Sequence, residues 1–209
     1  RKPSLLSPPS AAARDPRSLR RVEDARFLTG AGRYVDDEPI EGALHAAVLR
    51  SPHAPAAILA IDAAAARAAP GVVAVMTGED LDGLGDLPCS LALPAHAPLI
   101  VPPRPALARG RVRHVGDPVA FVVAQTQEAA RAACELIVVD YDVLPAVTGL
   151  ERAASDDAPQ LWPEAPGNVA LRYRLGDAAA LARAFEQAAQ VIALKLVNNR
   201  VAAAAIEPR

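Results

Sequence analysis

Residues 112–147 read VRHVGDPVAFVVAQTQEAARAACELIVVDYDVLPAV, and the fold class turns on this stretch. Pro118 to Ala124 is an apolar run rich in Val and of strand length. Thr126 then offers a hydroxyl oxygen to the free N–H groups of a helix over QEAARAACEL, residues 127–136. IVVDYD, residues 137–142, returns as a buried strand. Val112 to Val115 forms a further strand ahead of Gly116-Asp117-Pro118. In that turn Gly supplies unusual angles, Asp bonds nearby backbone and Pro opens the following strand. Strand, helix and strand in succession predict an α/β layer.

The same order precedes it. ALHAAVLR, residues 43–50, predicts a strand, SPHAP a break, and AILAID, residues 57–62, a second strand. Asp62 suits the N-cap of a helix over AAAARAA, residues 63–69, and Pro70-Gly71 stops it. VVAVMT, residues 72–77, is another strand, and one short helical turn is expected within residues 78–84. From Gly85 to Ala108 prolines recur without a period, which predicts a long surface excursion.

On the other side, the chain turns loop-like and proline-rich after Leu144-Pro145, with a domain boundary expected near Glu151. Gly176-Asp177 then caps a helix over residues 178–190, where Leu181, Phe185 and Ala188 or Ala189 share one face. Val191 to Val197 alternates as a strand with Ile192, Leu194 and Leu196 on one side. One helix and one strand seldom make a core, so this last unit is expected to be truncated. Residues 1–18, rich in Pro, Ser, Ala and Arg, are expected to form a disordered arm.

The 209 residues carry 22 basic and 24 acidic side chains, a net charge of −2 without clustering, so a nucleic-acid footprint is not expected. Aromatics are scarce and the core must come from Val, Leu, Ile and Ala. Cys89 and Cys134 form no disulfide framework, which points to a reducing compartment. No apolar run is long enough for a secretory signal or a membrane span. The expected location is the cytoplasm, with no membrane partner.

Candidate chemistry is sparse. Gly30-Ala31-Gly32 lacks the third glycine and the strand and helix of a phosphate loop, and reads as a turn. His45, His53, His96 and His114, with the two cysteines, match no zinc or iron spacing; His45 reads as a packed or hydrogen-bonded strand residue and His53 as a turn residue. Asp36, Asp37 and Glu38 read as a solvated turn, and Asp140 with Asp142 as a strand end, since general acid and base need convergence on one pocket. Ser51, Ser90 and Ser155 lack a nucleophile elbow or a paired base. The expected sets of catalytic, cofactor-binding and metal residues are therefore empty. On the residues alone the chain is a soluble α/β domain with no assigned function.

Ordered motifs add a resemblance. RRVEDARFLTGAGRYVDD (Arg20 to Asp37), RSPHAPAAILAID (Arg50 to Asp62), PGVVAVMTGEDL (Pro70 to Leu81) and the 112–147 stretch follow one another. GNV at Gly167, GD at Gly176 with its helix, and NNRVAAAAIEPR complete the series. Together they resemble the α/β hammerhead domain of molybdenum hydroxylase large subunits, the xanthine dehydrogenase and aldehyde oxidase family, with an opening like that of carbon monoxide dehydrogenase large subunits. The resemblance implies an α+β fold, with a mixed sheet and two packed helices over 19–150. Residues 151–209 would be a linker and the truncated start of a molybdopterin-binding domain.

For the parent protein the resemblance implies hydroxylation with water-derived oxygen on an aldehyde or N-heterocycle, or oxidation of CO. The cofactor would be molybdopterin, with iron–sulfur and FAD on partner subunits or domains, and the partners would be the rest of the large subunit and those subunits. The cofactor loops and the catalytic glutamate lie later than this chain reaches, so Glu207 in the EPR motif is read as ordering a strand end, with Arg209 or a neighbour as its partner. Pro55 and Ala57 depart from the family pattern and leave the substrate open. The alternative is a stand-alone hammerhead scaffold without catalysis.

Overall fold

In the computed structural model the described residues are 21–91, 99–198 and 201. These described residues fall into two compact units, one of residues 21–41 with 196–198 and 201, the other within 42–195. His96, Glu207, Arg209 and the expected arm over 1–18 lie outside the described residues.

In the first unit, α1 (Asp24–Leu28) precedes a single 3-10 turn at Val35–Asp37. Ala31 N–H donates to Arg26 O at 2.8 Å and Gly30 N–H to Phe27 O at 3.2 Å. These are the two bonds of a Schellman turn, so Gly30-Ala31-Gly32 ends a helix. The rings of Phe27 and Tyr34 stack at 5.7 Å. Asp37 accepts from Tyr34 N–H at 2.9 Å, and Arg33 pairs with Glu38 at 2.9 Å.

The second unit contains β1 (His45–Arg50), β2 (Ala56–Asp62), α2 (Ala64–Arg67), β3 (Val72–Thr77), β4 (Arg111–Val112), β5 (Pro118–Ala124), α3 (Gln127–Glu135), β6 (Val138–Val143), α4 (Leu150–Ala153) and α5 (Ala178–Gln187). The strands sort into two three-stranded sheets, β1-β5-β3 and β4-β2-β6, and every pairing is antiparallel. This is the mixed α and β architecture that the resemblance implies. In place of the mixed sheet implied by the resemblance there are two antiparallel sheets, and both strand-helix-strand units, β2-α2-β3 and β5-α3-β6, cross from one to the other. Periodicity marks a strand but does not choose its neighbour.

The core follows from β5, which is covered on both faces. Val122 sits opposite Ala47 of β1 and Val75 of β3. It packs with Ala63, Ala66, Val75, Ala120, Ala133 and Ile137. Its neighbour Val119 points the other way, into a second cluster with Ala56, Ala108 and Val112, and Ile61 and Val139 pack against both clusters. Each of Val112, Val119 and Val122 is fully buried, worth about 1.5–3 kcal/mol per side chain. Small residues let the layers approach: Ala130 and Ala133 are the buried face of α3. Thr126 Oγ1 caps that helix, accepting from Ala129 N–H at 3.1 Å.

Four elements differ from the expectations. β4 covers Arg111–Val112 only, because Arg113 N–H donates to Asp117 Oδ2 at 2.8 Å rather than to a ladder. The helix expected over 63–69 shrinks to Ala64–Arg67; Asp62 stays in β2 and accepts from Ala64 N–H at 2.9 Å. The helix expected over 178–190 stops at Gln187, and its apolar face is open, with Leu181 and Phe185 more than half exposed. Residues 191–197 form no strand. Ile192, Leu194 and Leu196 are exposed, and an alternating sequence becomes a strand only where a neighbour supplies the ladder.

Candidate functional site

Two motifs that are far apart in the sequence lock together around Ser51, which is 2% exposed. Ser51 Oγ donates to His53 O at 2.9 Å and accepts from His53 N–H at 3.0 Å. Its backbone N–H donates to Asp117 O at 2.9 Å, and Gly116 N–H donates to Ser51 O at 2.8 Å. Arg50 Nη1 reaches Gly116 O at 2.9 Å. The His53 ring meets Tyr141 edge-on at 5.1 Å, and burial raises the Tyr141 hydroxyl pKa, with a hydrogen bond to Ser51 opposing it. Gly116 carries φ +87°, so the Gly-Asp-Pro segment is the turn that its composition implies. Ser51 is therefore a structural hydroxyl.

The other candidates do not converge. His45 is exposed, not packed: it shares the face of Ala47 and Leu49 but sits at the first position of β1, opposite Ala124 and beyond the reach of the core cluster. His114 Nδ1 lies 3.7 Å from Asp117 Oδ2 on an exposed turn. Asp140 and Asp142 are exposed while Val139 and Tyr141 between and beside them are half-buried, as strand alternation requires. Ser155 joins Arg152 and Asp157 in a local loop cluster. Ser90 and Cys89 lie on an exposed segment, and burial raises the Cys134 thiol pKa, with Glu135 adding to the effect. Among the described residues no group of three or more His, Cys, Asp or Glu side chains could hold a metal ion.

What the fold does build is a cleft of about 760 Å³. One wall is formed by residues 87–89 and 99–104, the other by segments between Pro145 and Ala170, and the floor by Arg111 with Arg113, His114 and Val115. Backbone bonds fix the walls: Leu87 N–H donates to Arg104 O at 2.8 Å, Ile100 N–H to Ala170 O at 2.8 Å, and Leu144 N–H to Pro55 O at 2.9 Å. Asn168 of the GNV motif ties the second wall together. Its Nδ2 donates to Ala153 O at 2.9 Å and Pro159 O at 3.0 Å, and its Oδ1 accepts from Leu161 N–H at 2.8 Å. Its backbone is left-handed, φ +57°, a conformation Asn tolerates better than most residues. Trp162 Nε1 reaches across to Pro103 O at 3.3 Å.

The lining is apolar with basic side chains set into it. Val112 is fully buried, so alternation turns Arg111 and Arg113 to the opposite side, and both line the cleft with Arg104 and His114. The Arg113 guanidinium lies 5.2 Å from the centre of the Trp162 ring, within cation–π range. Nε of Arg111 and Nε of Arg113 are buried without a partner among the described residues. No Asp or Glu is among the described lining residues. Neither the cleft nor this arginine pair is singled out by sequence reading. The available signal is Arg-Val-Arg at 111–113, charge alternating about one buried valine.

The family described as aldehyde oxidase and xanthine dehydrogenase, a/b hammerhead domain, matches residues 29–145. The nicotine 6-hydroxylase large subunit of Paenarthrobacter nicotinovorans is 36% identical over 210 residues, covering 99% of this chain and 25% of that protein. The carbon monoxide dehydrogenase large chain of Afipia carboxidovorans is 41% identical over 142 residues, 68% of this chain and 17% of that protein. Among solved structures, quinoline 2-oxidoreductase from Pseudomonas putida 86 superposes with a TM-score of 0.57 at 44% identity, over 68% of this chain and 18% of its own. Aldehyde oxidoreductase from Desulfovibrio gigas does so with a TM-score of 0.60 at 31% identity, over 70% and 16%. The chain thus spans about a quarter or less of the length of these relatives.

Proposed function

Since this chain belongs to the aldehyde oxidase and xanthine dehydrogenase α/β hammerhead family, we propose that it is the amino-terminal, non-catalytic part of a molybdenum hydroxylase large subunit. The observation that carries this reading is the alignment with the nicotine 6-hydroxylase large subunit, which takes in 99% of this chain and 25% of that protein. Residues 19–150 are the hammerhead, and 151–209 lead into the molybdopterin-binding domain. In the parent protein that domain holds the molybdenum cofactor, and iron–sulfur and flavin partners take the electrons. The reaction is oxidation of an aldehyde, an N-heterocycle or CO with water-derived oxygen, in the cytoplasm. The residues of this chain contribute structure: the Ser51 and Gly116 lock and the two-sheet core. Among the described residues no helix is long and apolar enough to cross a membrane.

Elemental analysis tests the reading. An antibody raised against this chain should precipitate molybdenum and iron from the source cells, while the purified 209-residue chain holds no stoichiometric molybdenum. Stoichiometric molybdenum on the purified chain, or a precipitate free of it, overturns the proposal.

A further inference from the structure

We propose that α4 and the loop after it, residues 150–168, form a lid that swings as one body. It is closed in this structure by the seating of Trp162 on Pro103 and Arg113, and it opens when that contact parts and bares the Arg113 guanidinium.

The lid is a loop tied shut at its own neck. Asn168 Nδ2 donates to Ala153 O at 2.9 Å, so the two ends of the loop meet. The same amide nitrogen donates to Pro159 O at 3.0 Å, Asn168 Oδ1 accepts from Leu161 N–H at 2.8 Å, and Gln160 Nε2 donates to Trp162 O at 2.9 Å. Ser155 Oγ donates to Asp157 Oδ1 at 2.8 Å, and Arg152 of α4 joins both. A compact surface loop with joined ends and internal bonds keeps its shape independently of the surface beneath it. Such a body moves by rotation at a few residues of its neck. The neck has fixed ground on both sides: Leu144 N–H donates to Pro55 O, and Ile100 N–H donates to Ala170 O beside the bridge between Leu99 and Leu171. Gly149 and Val169 lie between these anchors and the lid, and are its hinges.

What holds the lid down is narrow. Among the described residues two polar contacts lead from it to distant segments. One is the ion pair of Glu151 with Lys195, exposed on both sides and next to the Gly149 hinge, where such a pair contributes little. The other is Trp162. Its Nε1 donates to Pro103 O at 3.3 Å, long for a bond of this type, and its ring centre lies 5.2 Å from the Arg113 guanidinium. The closed position also carries a cost. Nε of Arg113 is buried with no partner among the described residues, and a buried donor without a partner forgoes the bonds that water would give it. Swinging the ring away hydrates that guanidinium, so a weak latch is set against an unmet donor and the two positions lie close in free energy.

Relaxation-dispersion NMR of the wild-type 209-residue chain is the test, because lid motions fall in the microsecond-to-millisecond range. The indole N–H of Trp162, the only tryptophan in the sequence, should show exchange, and the backbone N–H groups of Leu161 and Asn168 should share its rate. Those of Ile100 and Leu171 should stay flat. Leu161 N–H should remain protected from hydrogen exchange, since its bond to Asn168 travels with the lid. Trp162→Phe, which removes the bond to Pro103 O and keeps a ring on Arg113, should raise the open population about fivefold, the net worth of one hydrogen bond. Asn168→Ala should instead break up the shared rate and lower Leu161 protection about tenfold. A flat Trp162 indole in the wild type would make the segment a fixed wall, dispersion of equal size at Leu171 would make it a strip that peels, and a Leu161 N–H that exchanges at the opening rate would make it a loop that melts. Each of these three results sinks the lid, and all are read on wild-type protein, so they decide even where a variant fails to fold.

Discussion

At Gly78 and Gly116 the backbone requires glycine for different reasons, and the two should respond differently to alanine. A Cβ on Gly78 would lie 2.5 Å from the backbone oxygen of Ala108, and Ala108 belongs to the second core cluster. Gly78→Ala should therefore cost about 2 kcal/mol or more through overpacking. Gly116 has open space around it but a φ of +87°, so Gly116→Ala should cost about 1 kcal/mol of backbone strain. Urea denaturation of both variants checks the order; equal losses would contradict it. Asp80 is a second such test. Hydrogen bonds from Thr77 N–H at 2.7 Å and from Thr77 Oγ1 at 3.0 Å lower its pKa, with Arg67 adding a smaller effect. Its folded pKa lies below the unfolded one, so its contribution is present above the unfolded value and is lost as pH falls through the folded value. Between about pH 5 and pH 3 the Tm of the wild type should fall more steeply than that of Asp80→Asn; parallel curves would show that this bond carries no pH dependence.

At the scale of elements, legibility followed the strength of local signals. β5 runs Pro118–Ala124, as its apolar run implies, and α3 begins at Gln127 behind the Thr126 cap, because both are set by neighbours in sequence. Thr126→Ala should cost about 1 kcal/mol, and Val122→Ala, which empties a site between three strands, about 2 kcal/mol. Thermal unfolding should rank Val122→Ala as the greater loss, and the reverse order would mean that β5 is not the centre of the core. Partner-dependent features were not legible. The ladder for residues 191–197 needs a neighbouring strand, β4 is cut short by one hydrogen bond to Asp117, and sheet membership depends on contacts far along the chain. The roles of Ser51 and Asn168 share this limit, since each is fixed by backbone groups brought in by the fold.

For the whole molecule, the family was readable from the order of motifs, while the cleft was not. Its walls come from residues 87–89, 99–104 and 145–170, segments without period, and only folding shows that they face Arg111 and Arg113. Leu181 and Ile192 are exposed, and no Asp or Glu is among the described residues that line the cleft with Arg111 and Arg113; exposed apolar side chains of this kind are what the proposed function has a longer protein cover. The most direct measurement is the mass of the polypeptide that an antibody against this chain detects in the source cells. The account predicts a band of about 80 kDa or more, the size of a protein built from roughly four such pieces; a band at the 21.7 kDa of this chain alone would contradict it.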